Sequence, residues 1–193
     1  MQEFISYVKK RCKSKGIKCR LSKTKKVKCF GTLVSGYFDD ENKVLVCSMN
    51  RADSLEILAH EYCHFTQWYE NCDVWDKANK SKCFEKLDSW LNGKKYRDLS
   101  FLDDCMEVEL DNEKRVVNLI DEFDLPIDKK KYIQKANSYI YFYQYMKEIK
   151  RWCKPNNTPY SNKELISIMP TTFQKDYSKI PFKILNKFRS EGI

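Results

Sequence analysis

The sequence predicts an α+β protein, a small antiparallel sheet packed on one helix and followed by a mainly helical C-terminal half. Three observations carry that reading. Strand-like runs cluster before residue 50, a well-punctuated helix follows them at once, and long helical patterns fill the rest of the 193 residues. The length suits a single domain over residues 1–193, with a basic helix and sheet part at about 1–50 and a helical part at about 53–193.

In chain order, Gln2 to about Cys12 places Phe4, Ile5 and Val8 on one side of a short helix that Gly16 ends. Strands are expected near Ile17–Leu21, Val27–Phe38 and Lys43–Met49, the last two joined by the turn Asp39-Asp40-Glu41-Asn42. Asp53, with Glu56 three residues on, has the form of a capping box and starts a helix from about Ser54 to Glu70. Further helices are expected over Lys77–Leu91, stopped by Asn92-Gly93, and over Phe101–Phe123. Leu125-Pro126-Ile127-Asp128 breaks the latter and caps another running to about Trp152. Short helical pieces follow near Lys163–Ile168 and Pro181–Arg189.

Composition narrows the setting. No apolar run approaches the roughly 20 residues that span a bilayer, and Met1-Gln2-Glu3-Phe4 lacks the order of a secretory signal, so a cytoplasmic protein is expected. Nine cysteines without a CxxC pair read as thiols rather than as a disulfide framework or a zinc ribbon. The net charge of +9 is concentrated, with eleven Lys or Arg and no acid between Lys9 and Lys28. That region has the electrostatics of a nucleic-acid contact, although Ile17, Cys19 and Leu21 alternating with Lys18 and Arg20 equally describe a half-buried strand with a solvated outer face.

The only two histidines stand four apart in Leu58-Ala59-His60-Glu61-Tyr62-Cys63-His64, an HExxH motif inside the expected helix. At about 100° per residue, positions i and i+4 share a face, so the two imidazoles can converge on one zinc ion. Glu61, beside the first ligand, is then placed to take a proton from a metal-bound water. Cys63 points off that face and reads as core.

A catalytic zinc site typically takes three protein ligands, and the chain has no third histidine. On the Phe101–Phe123 helix, Leu102, Cys105, Val116, Ile120 and Phe123 fall within about 40° of Glu109, which puts that carboxylate in the middle of the apolar stripe. Glu107 and Asp111 lie on the opposite side. A buried carboxylate is costly unless paired, by a metal or by a Lys or Arg. Glu109 is therefore the expected third ligand. Glu113, one turn on at the edge of the stripe, either accepts the far N–H of a ligand imidazole or exchanges roles with Glu109.

The order of basic helix, small sheet, AHExxH helix and later Glu-bearing helix resembles minimal zincin-like domains of the gluzincin type, with ImmA/IrrE-type metallopeptidases the nearest likeness. Ala59-His60-Glu61-Tyr62-Cys63-His64 matches that family's AHExxH, and Glu107-Val108-Glu109-Leu110 loosely matches its ExEA. The resemblance covers roughly Ile17 to Ile120 and implies His60, His64 and Glu109 as ligands and Glu61 as the catalytic base. The apolar spacing after Glu109 departs from the family pattern. The chain is also similar to HExxH proteins encoded by large bacteriophages, which would place it in a host cytoplasm. A weaker likeness joins His60-Glu61-Tyr62-Cys63-His64 and Trp68 to SprT-type proteases, which use a third histidine that this chain lacks.

These readings imply zinc-dependent peptide hydrolysis, with a peptide or protein substrate added along the strand Lys43–Met49. The competing reading is a non-catalytic protein stabilised by zinc that binds nucleic acid or a protein through its basic N-terminal region. The aromatic run Tyr139–Tyr145 is expected to serve as core and rim packing rather than as a stacking surface, because in a helix its rings point all round.

Overall fold

The computed structural model describes residues 2–29 and 31–193 and is α+β. By its internal contacts the chain divides into two compact units. One comprises the residues up to Cys72 together with Arg115–Ile127, and the other Asp73–Lys114 together with Asp128–Ile193. Among the described residues no helix is long and apolar enough to cross a membrane.

The first unit begins with α1 (Gln2–Ser14), which buries Phe4, Val8 and Cys12 at helical spacing. Gly16, at φ +73°, closes it, and the Ile17 amide turns back to the Cys12 carbonyl at 2.9 Å. Strand β1 (Lys18–Ser22) follows, with Lys18 and Arg20 exposed and Cys19 and Leu21 half-buried, as the alternation predicts. The expected run Val27–Phe38 is not one strand. It divides into β2 (Val27–Cys29), β3 (Thr32–Val34) and β4 (Gly36–Asp39), with β2 and β3 forming an antiparallel hairpin. Gly31 at φ +88° lies between those two strands, a conformation that side chains disfavour. Phe30, within that run, lies outside the described residues.

Strand β5 (Val44–Ser48) is buried along its whole length and occupies the middle of a three-stranded sheet ordered β1-β5-β4. The sheet is mixed, which corrects the antiparallel expectation. β4 and β5 pair antiparallel through the Asp39–Lys43 turn, but β1 and β5 are parallel, with Lys18 opposite Val44 and Ser22 opposite Ser48. The reason is topological: the β2–β3 hairpin and β4 intervene before β5 enters beside β1, so this pair of sheet neighbours is not a pair of chain neighbours. The Lys43–Met49 stretch is accordingly a central strand, and it cannot receive a peptide along an open edge.

Helix α2 (Ser54–Glu70) has the predicted bounds and packs over β4 and β5. Its start differs in mechanism from a capping box. Asp53 stands at the N-cap position but makes no side-chain cap bond, because both its oxygens are held by Arg51, each at 2.7 Å. Asn71, at φ 49°, ends the helix in the left-handed conformation. Aromatic rings close this core, with Phe38 set edge-on to Phe65 at 5.9 Å and Phe4 against Phe123 at 5.2 Å.

The second unit is helical. The single helix expected over Lys77–Leu91 is in fact two, α3 (Asp73–Ser81) and α4 (Cys83–Leu91), separated by Lys82 at φ 55°. Helix α5 (Phe101–Glu122) passes through both units, changing over between Lys114 and Arg115. Helix α6 (Lys129–Ile149) is capped by Asp128, whose carboxylate accepts from the Lys131 amide at 3.1 Å. Short helices α7 (Lys163–Ser167) and α8 (Phe182–Ser190) complete it. Ile140, Phe142 and Met146 are fully buried among Leu102, Leu165 and Phe188, so the Tyr139–Tyr145 run is core as expected.

Candidate metal centre

The HExxH motif lies in the middle of α2, beyond the fraying turns at either end, where the i to i+4 relation holds to helical geometry. The two imidazoles meet edge to face with ring centroids 4.7 Å apart, and their Nε2 atoms are 3.2 Å apart. Two nitrogens bound tetrahedrally to one zinc at 2.0–2.1 Å would be about 3.3 Å apart, so the pair is already at ligand spacing. The other nitrogen of His64, Nδ1, is 2.9 Å from Oε1 of Gln67, a residue fully buried on the same helix.

Electrostatics keep His64 in its ligating form. Burial, and then the neighbouring His60, lower its pKa from an ordinary value near 6.5 to about 3, against the opposing hydrogen bond of Gln67. A neutral imidazole at neutral pH has the lone pair that a metal requires. Nearby thiols are held protonated: burial and then the charge of Glu61 push Cys47 up to about 12, and burial, Asp39 and Glu61 raise Cys29. Cys63 is 1% exposed and is core, as its helical position implies.

Glu61 is itself only 9% exposed. The stem of its side chain lies against Gly36 of β4, so closely that a Cβ on that glycine would stand 2.9 Å from Glu61 Cγ and 3.0 Å from the Val46 carbonyl oxygen. Strand β4 thus approaches the helix at the motif, and only glycine fits there.

Helix α5 carries the predicted acid. Glu109 is 6% exposed in a stripe with Leu102, Cys105, Val116 and Ile120, whereas Glu107, on the opposite side, reaches Lys77 at 2.7 Å. Further along α5, Arg115 bonds Glu70 and Thr66 of α2, at 2.5 and 3.3 Å. His60, His64 and Glu109 each offer one ligand atom, all within 4.8 Å of one another, and this group could hold a metal ion. The donor set of two imidazole nitrogens and one carboxylate oxygen fits a transition-metal ion better than magnesium or calcium, which favour oxygen alone.

The surroundings of the carboxylates are phenolic. Burial, and then the charge of Glu109, push the Tyr139 phenol well above its usual value, and Tyr143 is raised by burial, Tyr139 and Glu109. Both hydroxyls therefore stay protonated, bonded to each other at 3.0 Å. Glu113 is buried and accepts a hydrogen bond from the Tyr132 hydroxyl.

Sequence reasoning found His60, Glu61, His64 and the burial of Glu109 and Glu113, but it missed Gln67, Gly36 and Tyr132. Two of these left a signal: Gln67 is a polar residue one turn after a ligand, and Gly36 is the second glycine, after Gly31, in one strand pattern. Comparison with known proteins returns no matching family model, no similar curated protein and no similar solved structure.

Proposed function

We propose that this chain is a zinc-dependent metallopeptidase of the HExxH type, with His60, His64 and Glu109 as ligands and Glu61 as the general base. The observation that carries the reading is the group of two imidazoles and a buried carboxylate, drawn from residues 45 positions apart, with ligand atoms within 4.8 Å of one another. Such a donor set is borderline in softness and suits zinc, and three protein ligands match catalytic rather than structural zinc sites. When bound there, the ion would supply Lewis acidity and lower the pKa of water towards neutrality.

The chain's own residues account for the remaining work. Glu61, one residue from His60 and held against Gly36, accepts the proton of the attacking water and returns it to the leaving amine. An extended substrate would add along β4, the sheet edge that passes Glu61, with main-chain hydrogen bonds giving affinity irrespective of side chain. A purely structural site has no use for an acid beside an open metal position, which separates this reading from the non-catalytic one.

The test uses Glu61→Gln, which keeps the shape and removes the base. Zinc content of the purified variant should match the parent, while hydrolysis of a mixed peptide library falls by about 10²- to 10⁴-fold. A variant that cleaves the library as fast as the parent refutes the mechanism.

A further inference from the structure

We infer that Gln67 is a positioning residue that sets the tautomer and ring orientation of His64, so that Nε2 rather than Nδ1 is presented as the metal ligand. The inference rests on the metallopeptidase reading and goes beyond it by naming what prepares the ligand.

A neutral imidazole has one N–H and one lone pair, and the two tautomers differ little in free energy in water. The hydrogen bond made by one nitrogen therefore decides which nitrogen is left to ligate. Here Gln67 Oε1 is 2.9 Å from His64 Nδ1. An amide oxygen accepts and cannot donate, so the pairing requires a hydrogen on Nδ1 and leaves the lone pair on Nε2. Nε2 is also the atom that faces the second imidazole, 3.2 Å from His60 Nε2.

Two features make the arrangement durable. Gln67 is fully buried, so its amide has no bulk water to turn towards. It also sits three residues after His64 on α2, so one rigid helix fixes the separation. Glu113 was the residue expected to accept the far N–H of a ligand imidazole; for His64 the acceptor is Gln67. A neutral amide orients the ring without placing a further negative charge beside the site, where a carboxylate would also make the imidazole more basic.

The experiment has three arms. Long-range ¹H–¹⁵N correlation on the metal-free protein, whose two histidines give a simple spectrum, should show His64 protonated at Nδ1; protonation at Nε2 alone overturns the inference without any variant. Gln67→Met, similar in length but without a carbonyl acceptor, should bind zinc about 10- to 100-fold more weakly in chelator competition and alter the visible bands of the cobalt-substituted protein. Gln67→Glu, which restores an acceptor, should keep the parent's spectrum and come within a few-fold of its zinc affinity. A folded Gln67→Met with the parent's affinity and spectrum, or a folded Gln67→Glu as weak as Gln67→Met, removes the positioning role. Failure of the parent to bind zinc at all removes the metallopeptidase reading and this inference with it, whereas a zinc-binding parent with an indifferent Gln67 removes the inference alone.

Discussion

Helices α2 and α6 both bury polar side chains, but to opposite ends. In α6, Asn137 and Ser138 are fully buried and tie the helix to the tail of the chain. Asn137 donates to the Pro170 and Thr172 carbonyls at 2.7 and 3.0 Å and accepts from the Tyr177 hydroxyl, and Ser138 donates to the Pro159 carbonyl at 3.0 Å. Those partners are mostly main-chain carbonyls in segments without regular structure, whose hydrogen bonds must be made by something. In α2 the polar groups are turned on one another: His60 to His64 through Nε2, and His64 to Gln67 through Nδ1. Buried polarity that satisfies the backbone serves the fold, whereas half-buried imidazoles and a buried amide gathered on one helix face form a candidate site.

The sharpest way to break the comparison is His64→Ala, which should abolish stoichiometric zinc binding in metal analysis of the purified protein while the metal-free fold persists. A variant that still carries one zinc per chain places the metal elsewhere. Asn137→Ala should do the reverse. Losing the amide strands the Pro170 and Thr172 carbonyls and the buried Tyr177 phenol, a cost of about 1–3 kcal/mol in urea unfolding, with zinc affinity of the folded fraction unchanged. Were its stability equal to the parent's, the structural role given to α6 would be wrong.

Gly36→Ala probes the contact between β4 and the motif. Its Cβ would meet Glu61 and Ile57 side chains at 2.9 Å and a backbone oxygen at 3.0 Å, so overpacking of about 1–3 kcal/mol is expected, together with slower peptide hydrolysis as Glu61 is displaced. Unchanged stability and turnover would show that the strand yields without disturbing the helix.

The smallest effect is on pH dependence. Because the folded chain lowers the His64 pKa to about 3, the unfolded chain takes up a proton near pH 6.5 that the folded one refuses. The stability associated with a neutral His64 is therefore complete above pH 6.5 and is lost progressively as the pH falls towards 3. With chelator present, the denaturation midpoint of the parent should fall more steeply over that interval than that of His64→Ala. Parallel profiles would contradict the desolvation assigned to the half-buried ring.

Much of the α2 site was legible because helical spacing is local. The bounds Ser54 and Glu70, the shared face of His60 and His64, and the burial of Glu109 all follow from periodicity within one element. The capping of α6 by Asp128 was likewise readable, since its acceptor and amide are three residues apart. The sheet was less so, because nothing within Lys43–Met49 tells whether its neighbours are both hairpin partners or one is a returning parallel strand. The N-terminus of α2 misled for a related reason: Asp53 is a good cap by type, but Arg51 two residues earlier captures its carboxylate.

The sequence by itself determined the candidate chemistry: two imidazoles on one helical face, an acid between them and a second acid on a later apolar stripe, all consequences of a turn of 3.6 residues. Tertiary structure decided which strand is central and which is the edge, and that Gly36 abuts Glu61. Periodicity specifies which way a side chain faces but not what lies opposite it, and only the packing of distant segments supplies the second.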